Sequence, residues 1–314
     1  MGLRLVFLWL ALLWVRSAAA QASPAAAHAV ARPAASTQTQ KSVAQRGVNP
    51  CNTPDPGFGS YERWSRGISM GQMLVPKRRP SSADGVDVVV HFHGHEPARK
   101  EWVHVMDGAV LVGIDLGLGS GPYEAAFASP GALKTLLESV ERQLTKRWGK
   151  VRLRNVALSA WSAGYGAVQG ILSHAWGRER VDAVILLDGL HCGYRGQSLN
   201  EPQLRPFMTF SELAARGEKL MVVTHSSIIP PGYASTTETG NFLVRHLGGR
   251  PRPARPRASD PMGLELVSRF SRRGFHLRGF AGNDKLDHCA HLGLLRDILT
   301  AHLKPRWSLA RVRR

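Results

Sequence analysis

The chain has 314 residues, a formal net charge of +18 at pH 7, 43% hydrophobic residues and three cysteines. No C-x-x-C spacing occurs, which argues against a cysteine zinc site or a dithiol redox motif. The basic residues are not interleaved with aromatic ones, and no nucleic-acid motif is present, so specific nucleic-acid binding is not expected.

The N-terminus has the pattern of a secretory signal peptide. Residues 1–20 begin with a basic residue, continue with an apolar stretch and end in three alanines before Gln21. The apolar stretch is short for a membrane span, and Arg16 interrupts it. We therefore predict a secreted or periplasmic protein that does not span a membrane after cleavage; an uncleaved membrane anchor is the alternative.

The remaining chain divides by composition into three parts. Residues 21–50 are rich in Ala, Ser, Gln and Pro, which predicts a disordered linker. Residues 51–303 are long enough for one well-buried α/β domain, and no internal repeat is visible. Residues 304–314 form a basic C-terminal tail.

Apolar runs that predict strands alternate with helical patterns along the domain. The predicted strands are Val86–Phe92, Ala109–Leu116, Val156–Ser159, Val181–Leu187, Leu220–Thr224 and Phe275–Phe280; the predicted helices are Leu133–Trp148, Tyr165–Trp176, Thr239–Leu247 and His291–Leu303. Continuously apolar strands that alternate with helices indicate a mostly parallel central sheet with helices on both faces, a three-layer α/β fold.

The segment around Ser162 is the most informative motif. An apolar strand leads to Ser162 and a helix of small residues follows, with Ala160 two residues before the serine and Gly164 two residues after it. Strand and helix nearly touch around such a turn, so both flanking positions require small side chains. The pattern is that of a nucleophile elbow, G-x-S-x-G, with alanine in place of the first glycine. A strand–turn–helix with a merely capping serine is the plain alternative.

Polar residues collect where the predicted strands end. Ligands bind beyond the carboxyl ends of the strands in open parallel sheets, so these positions are the candidates for chemistry. They comprise His91, His93, Gly94 and His95 after the first strand, Asp188 after the fourth, Thr224 to Ser226 after the fifth, and His288 and His291 after the last.

With a serine elbow, a His-Gly pair at a strand end, and an acid and a histidine that follow in that order, residues 60–303 resemble the α/β-hydrolase family. The resemblance implies a serine hydrolase, an esterase in particular, that forms an acyl-enzyme and needs no cofactor. Ser162 would be the nucleophile, His288 the base and Asp188 the acid. The backbone N–H groups of Ala163 and of Gly94 or His95 would stabilise the oxyanion.

Two roles remain open on the sequence. Glu238 and Asp260 are alternatives to Asp188 as the acid, because many family members place the acid one strand later. His291, three residues beyond His288, is the alternative base.

Two other functions compete with the serine hydrolase. His91, His93 and His95 alternate along an extended segment and suggest a metal-dependent hydrolase, since His-x-His is a recurrent ligand pair. A non-catalytic protein that binds the cell envelope on the same scaffold is the third possibility.

The substrate pocket, the disulfide and the partners are further expectations. His93, Trp161 and Tyr233 are the expected pocket residues for a small-molecule or polymer ester substrate. If Asp188 and His288 meet, their neighbours Cys192 and Cys289 lie close, which predicts a disulfide between these two and leaves Cys51 free. The arginine-rich loop 245–257 and the basic tail favour an anionic envelope contact.

Overall fold

The computed structural model describes residues 40–80 and 85–312, with side chains to residue 308. The signal-peptide segment and most of the predicted linker lie outside the described residues. Within the described ranges no helix is both long and apolar enough to cross a membrane.

Helices and strands alternate along the chain, as the apolar runs predict. The strands are β1 (Gln72–Leu74), β2 (Val86–Phe92), β3 (Val110–Ile114), β4 (Leu153–Trp161), β5 (Ala183–Leu187), β6 (Tyr194–Arg195), β7 (Ser198–Leu199), β8 (Leu220–His225), β9 (Arg252–Pro253), β10 (Glu265–Arg272) and β11 (Phe275–Ala281). The α-helices are α1 (Val43–Arg46), α2 (His95–Trp102), α3 (Gly121–Phe127), α4 (Ala132–Trp148), α5 (Tyr165–Ser173), α6 (Ala175–Arg180), α7 (Glu201–Arg216), α8 (Thr236–His246), α9 (Lys285–Ala290), α10 (Leu294–Ile298) and α11 (Lys304–Val312). Short 3₁₀ turns cover Ser162–Gly164, Pro261–Gly263 and His291–Gly293, and a π turn covers Leu299–Leu303.

The central sheet has nine strands in the order β1-β3-β2-β4-β5-β8-β11-β10-β9. The six strands from β3 to β11 pair in parallel, and β1, β10 and β9 add antiparallel edges. The register places Phe92, Ala160 and Leu186 side by side on β2, β4 and β5. The carboxyl ends of these strands therefore meet at one edge of the sheet, as expected.

Two apolar layers cover the sheet. Side chains of α3, α4, α5, α7 and α8 pack on one face and those of α2, α10 and α11 on the other. The strands β2, β3 and β5 are buried along their whole length, because both of their faces lie inside a core. The predicted three-layer α/β architecture is confirmed.

Both boundaries of the domain differ from the composition-based prediction. Residues within the predicted linker form α1, whose Arg46 is buried and ion-paired with Asp287, so the end of the linker segment is part of the fold. The predicted basic tail forms α11, where Trp307 is buried and Arg306 pairs with Asp182. Arginine count alone could not reveal that these side chains have carboxylate partners inside the domain.

Candidate active site

The backbone at Ser162 is strained. Ser162 follows β4, begins the turn that leads into α5 and has φ of 48°, a left-handed conformation that costs a non-glycine residue about 1–2 kcal/mol. A Cβ added to Gly164 would lie 2.2 Å from the carbonyl oxygen of Phe92 on β2, so this position accepts only glycine. Ala160 is fully buried in the sheet, where its methyl group fits. The elbow geometry is thus present with alanine at its first small position.

A second strained turn lies against the elbow. Asp188 follows β5 with φ of 44°, and the next residue is Gly189. A Cβ on Gly189 would approach the carbonyl oxygen of Ser162 to 2.6 Å and its nitrogen to 2.8 Å. The turn after β5 is therefore packed directly on the backbone of Ser162, and this contact requires the glycine.

The carboxylate of Asp188 is fully hydrogen-bonded in the interior. Its Oδ1 accepts from the backbone N–H of Ser226 at 2.8 Å and from the hydroxyl of Thr236 at 2.6 Å, while its Oδ2 accepts from Nδ1–H of His288 at 2.7 Å. Burial by itself raises the pKa of this carboxyl, but the nearby His291 and His288 and the bond from Thr236 lower it by more. The net pKa of Asp188 is far below its ordinary value, so it is ionised at neutral pH.

His288 lies on the short helix α9, which precedes the helix predicted to begin at His291. Asp284 begins α9 with a capping box, in which its carboxylate accepts from the N–H of Asp287 at 2.8 Å. The carbonyl oxygen of His288 accepts from Nε1–H of Trp161 at 3.0 Å, and the two rings lie 4.8 Å apart. The imidazole is thereby held by Asp188 at one nitrogen and by Trp161 at its face.

Two clefts meet at Ser162. The Asp188 cleft has a volume of about 300 Å³ and is lined by Ser162, Asp188, His191, Ser226, Ile228, Pro230, Tyr233, Thr236, Asn283, Asp284, Lys285 and His288. The Glu124 cleft has a volume of about 480 Å³ and is lined by Gly119, Ser120, Glu124, Ser162, Ala163, Tyr165, His191, Cys192, Gly193, Gln203 and Tyr233. Ser162, His191 and Tyr233 line both clefts, so space for a substrate extends to two sides of the serine.

Hydrogen bonds hold the loop after β2, and one of them uses an N–H group that was expected to bind the oxyanion. His93 and Gly94 both have positive φ, 67° and 78°. The N–H of Gly94 donates to Oδ1 of Asp115 at 2.7 Å, and the same carboxylate binds Nδ1 of His95. Gly94 is therefore not a free oxyanion donor. His95 begins α2 and Ala163 lies in the first turn before α5, where N–H groups have no carbonyl partner within the helix.

Of the three expected pocket residues, Tyr233 lines the two clefts, whereas Trp161 and His93 pack against each other. Tyr233 is exposed and lines both clefts. Trp161 lines neither of these two clefts; its ring is stacked on that of His93, with centroids 5.1 Å apart and an interplanar angle of 14°. Nδ1 of His93 is 2.9 Å from the hydroxyl of Tyr123, so His93 also belongs to the packing behind the site.

The predicted disulfide between Cys192 and Cys289 is wrong. Cys289 is bonded to Cys51, and Cys192 is a buried free thiol. The inference that the neighbours of Asp188 and His288 must meet failed because Cys192 faces the apolar core while Cys289 is directed towards the N-terminal segment. The bond joins this segment to α9, next to His288.

The alternative acids and the alternative histidine have other partners. Glu238 forms the capping box of α8 with Ser235 and accepts from the hydroxyl of Tyr194 at 2.9 Å. Asp260 accepts from two backbone N–H groups, those of Arg257 and Leu266. Nδ1 of His291 lies 2.8 Å from the hydroxyl oxygen of Thr224, within hydrogen-bond distance, and the ring is buried. None of the three takes the place of Asp188 or His288.

The three histidines of the His-x-His-x-His run are directed at different partners. His91 is buried between the hydroxyl of Ser159 and the carbonyl oxygen of His93. His95 lies between Asp115 and Gln72. The alternation that we expected ends at His93, because its left-handed backbone turns the chain into α2. Across the described ranges, no group of three His, Cys, Asp or Glu side chains could hold a metal ion.

Sequence reasoning assigned no role to three residues that build the site. Asp115 holds the loop after β2, and Ser226 and Thr236 bind Asp188. Asp115 directly follows the observed strand β3, but the predicted strand Ala109–Leu116 extends past it, so the strand-end rule did not identify it. Thr236 carries no such signal, because it reaches Asp188 from the start of a helix 48 residues further along the chain.

The sequence matches no family model and no curated protein. Solved structures similar to this chain include an uncharacterised protein from Capnocytophaga ochracea, with 13% identity and a TM-score of 0.42 over 74% of this chain and 62% of that one. A siderophore hydrolase, EstB, from Aspergillus nidulans has 15% identity and a TM-score of 0.43 over 80% of this chain and 97% of that one. The acylaminoacyl peptidase of Pyrococcus horikoshii has 10% identity and a TM-score of 0.43 over 77% and 41%.

The chain spans less than two thirds of the length of the first and third of these proteins. At such identities and TM-scores, the likenesses say nothing about activity or substrate. The chain's own architecture carries more weight: a mostly parallel sheet, a strained serine between β4 and α5, and a hydrogen-bonded acid–histidine pair at the same sheet edge. These features are those of the α/β-hydrolase fold.

Proposed function

We propose that this chain is a serine hydrolase that cleaves acyl esters through an acyl-enzyme. The observation that carries the proposal is the hydrogen bond between Asp188 and His288 in a cleft that also contains the strained Ser162. The strained backbone of Ser162 costs stability and has no evident structural benefit, and it lies beside the ionised Asp188 with its bound His288.

The chemistry follows from the hydrogen bond at Nδ1. Because Nδ1–H of His288 donates to Asp188, the neutral imidazole presents Nε2 as a proton acceptor. Nε2 would take the proton of Ser162 as Oγ attacks the ester carbonyl. It would then give that proton to the departing alcohol, and water would repeat both steps to release the acid.

The N–H groups of Ala163 and His95 would stabilise the negative charge on the carbonyl oxygen. His95 begins α2 and Ala163 lies in the 3₁₀ turn that leads into α5, so both N–H groups lie at the positive end of a helix dipole. We omit Gly94 from this role because its N–H binds Asp115.

The proposal also includes export and an anionic surface contact. Export rests on the signal-peptide pattern of residues 1–20. The contact rests on Arg250, Arg252, Arg255 and Arg257, which are exposed around β9. Export is tested by N-terminal sequencing of protein recovered from an exporting host, with Gln21 as the expected first residue.

Labelling with a fluorophosphonate tests the activated serine. We expect one adduct on Ser162, mapped by peptide mass, and none in Ser162→Ala. Ser173→Ala is the matched control, because Ser173 is exposed on α5, the helix that follows Ser162, and lines neither cleft. Hydrolysis of p-nitrophenyl acetate should fall at least about 1,000-fold in Ser162→Ala. A folded wild-type protein that takes up no label would contradict the proposal.

A further inference from the structure

The Glu124 cleft has an unusual charge for this protein. The chain carries a formal net charge of +18, yet Glu124 is the one charged side chain at neutral pH among the described residues that line this cleft. The other lining residues that bear polar groups are neutral, and no Lys or Arg is among them. The cleft that opens on one side of Ser162 is therefore locally anionic.

Glu124 is placed at the serine by close packing of two helices. A Cβ on Gly166, one helical turn after Ser162, would lie 2.9 Å from Cγ of Glu124 and 2.6 Å from the carbonyl oxygen of Ser120. Glycine at this position lets α3 approach the first turn of α5, so the Glu124 side chain lies over the start of that helix. In the described parts of the chain the carboxylate of Glu124 has no hydrogen-bond or ion-pair partner, which leaves it available to a ligand.

Aromatic rings form another part of the lining of the same cleft. The rings of Tyr165 and His191 lie 5.7 Å apart, and those of His191 and Tyr233 lie 5.1 Å apart, each pair in an edge-to-face arrangement. Burial lowers the pKa of His191, so its ring is neutral at pH 7 and does not repel a cation. A carboxylate facing a set of electron-rich rings is the arrangement that binds ammonium groups, through charge and cation–π attraction together.

We propose that the Glu124 cleft binds a cationic group of the substrate, an alkylammonium carried on either side of the scissile ester. The proposal rests on the proposed serine hydrolase activity, because the cleft begins at Ser162. Glu124 supplies the countercharge, and the rings of Tyr165 and Tyr233 supply faces that a weakly hydrated cation can contact. The cleft volume of about 480 Å³ is large enough for such a group.

Two pairs of matched esters test the proposal, whichever side of the ester the cation occupies. The first pair is the p-nitrophenyl esters of Nα-acetyl-lysine and Nα-acetyl-norleucine, which differ in charge on the acyl side. The second pair is acetylcholine and 3,3-dimethylbutyl acetate, which differ in charge on the alcohol side. We expect kcat/KM to be about 5- to 10-fold higher for the cationic member of at least one pair at low salt, the range of a partly solvated ion pair with a cation–π contact.

Variants of cleft residues then test whether the preference for cationic esters arises in the Glu124 cleft. In Glu124→Gln the ratio of kcat/KM between cationic and neutral ester should fall to about 2, the part that the cation–π contact supplies, and in Tyr233→Leu it should fall about 2- to 3-fold. Glu138→Gln is the matched control, because Glu138 is exposed on α4 and lines neither cleft. This control should keep the wild-type ratio.

The outcomes separate this proposal from the proposed activity. Equal turnover of both members of both pairs would overturn the cation site while it supports the hydrolase. A preference for cationic esters that is as large in Glu124→Gln as in the wild type would also overturn it. Absence of turnover of all four esters, together with no fluorophosphonate adduct on Ser162, would overturn the activity itself and the cation site with it.

Discussion

Some residues of the site would react with the substrate, and others hold the reacting groups in place. Asp115 is of the second kind. Its carboxylate binds the N–H of Gly94 and Nδ1 of His95, and so holds a turn in which two successive residues have positive φ. Burial raises the pKa of Asp115, but its bonds to His95 and Gly94 lower it by more, so the group is an anion at neutral pH. We infer that this anion fixes the position of the His95 N–H.

Replacement of Asp115 should therefore weaken stabilisation of the transition state more than it weakens substrate binding. In Asp115→Ala we expect kcat for p-nitrophenyl acetate to fall about 10- to 100-fold, the cost of misplacing one oxyanion donor, while KM changes less than about 3-fold. Steady-state kinetics give both constants, and circular dichroism checks the fold. Asp297→Asn, which removes an exposed partner of Arg278, is the control. An increase in KM with unchanged kcat would show that Asp115 serves binding instead.

At the scale of elements, α9 is the part of the site that depends most on distant sequence. Its His288 is flanked by Asp287, which pairs with Arg46, and by Cys289, which is bonded to Cys51. The disulfide joins residues 238 positions apart. The N-terminal segment thus fastens the helix that carries the proposed base.

This pairing predicts a defined pattern of thiol labelling. Burial raises the pKa of Cys192 to about 11, so the thiol is protonated at pH 8 and shielded from solvent. Native protein should take up no iodoacetamide at pH 8. Protein unfolded in guanidinium without reductant should take up one label, on Cys192, and unfolded and reduced protein should take up three. Peptide mapping that finds the unreduced label on Cys51 would contradict the bond to Cys289.

Local pattern was enough to predict some elements and not others. The strands β2, β5 and β8 and the elbow were predictable, because an apolar run and small flanking residues are signals within a few positions. Helix α7 was missed because it contains Pro206, a residue that normally ends a helix. The disulfide could not be derived, because it depends on where α1 and the segment after it pack.

At the scale of the whole molecule, part of the excess basic charge is structural. Arg79 donates to two carbonyl oxygens, those of Trp148 and Lys150, and Arg180 donates to those of Arg154 and Leu153. Guanidinium groups thereby satisfy carbonyls at the ends of helices and strands. The high arginine content cannot be read simply as a binding surface, and the exposed arginines around β9 are the ones that need a separate explanation.

The protein as a whole should lose stability in mild acid because it buries neutral histidines. Burial lowers the pKa of His91 and of His291 to about 4 each, against an ordinary value near 6.5. Above pH 6.5 neither state binds these protons. Between pH 6.5 and pH 4 the unfolded chain binds them and the native protein does not, so the free energy of unfolding decreases as pH falls.

Guanidinium unfolding at pH 7 and pH 5 measures this loss. We expect the free energy of unfolding to fall by roughly 2 kcal/mol for each of the two histidines over this interval. His91→Gln should reduce the difference between the two pH values by roughly 2 kcal/mol, whatever it does to stability at pH 7. His174→Gln is the control, because His174 binds a carbonyl oxygen at the surface and should leave the difference unchanged. Equal stability at both pH values would mean that these histidines take up protons in the native state, and that the interior around β2 opens to water at pH 5.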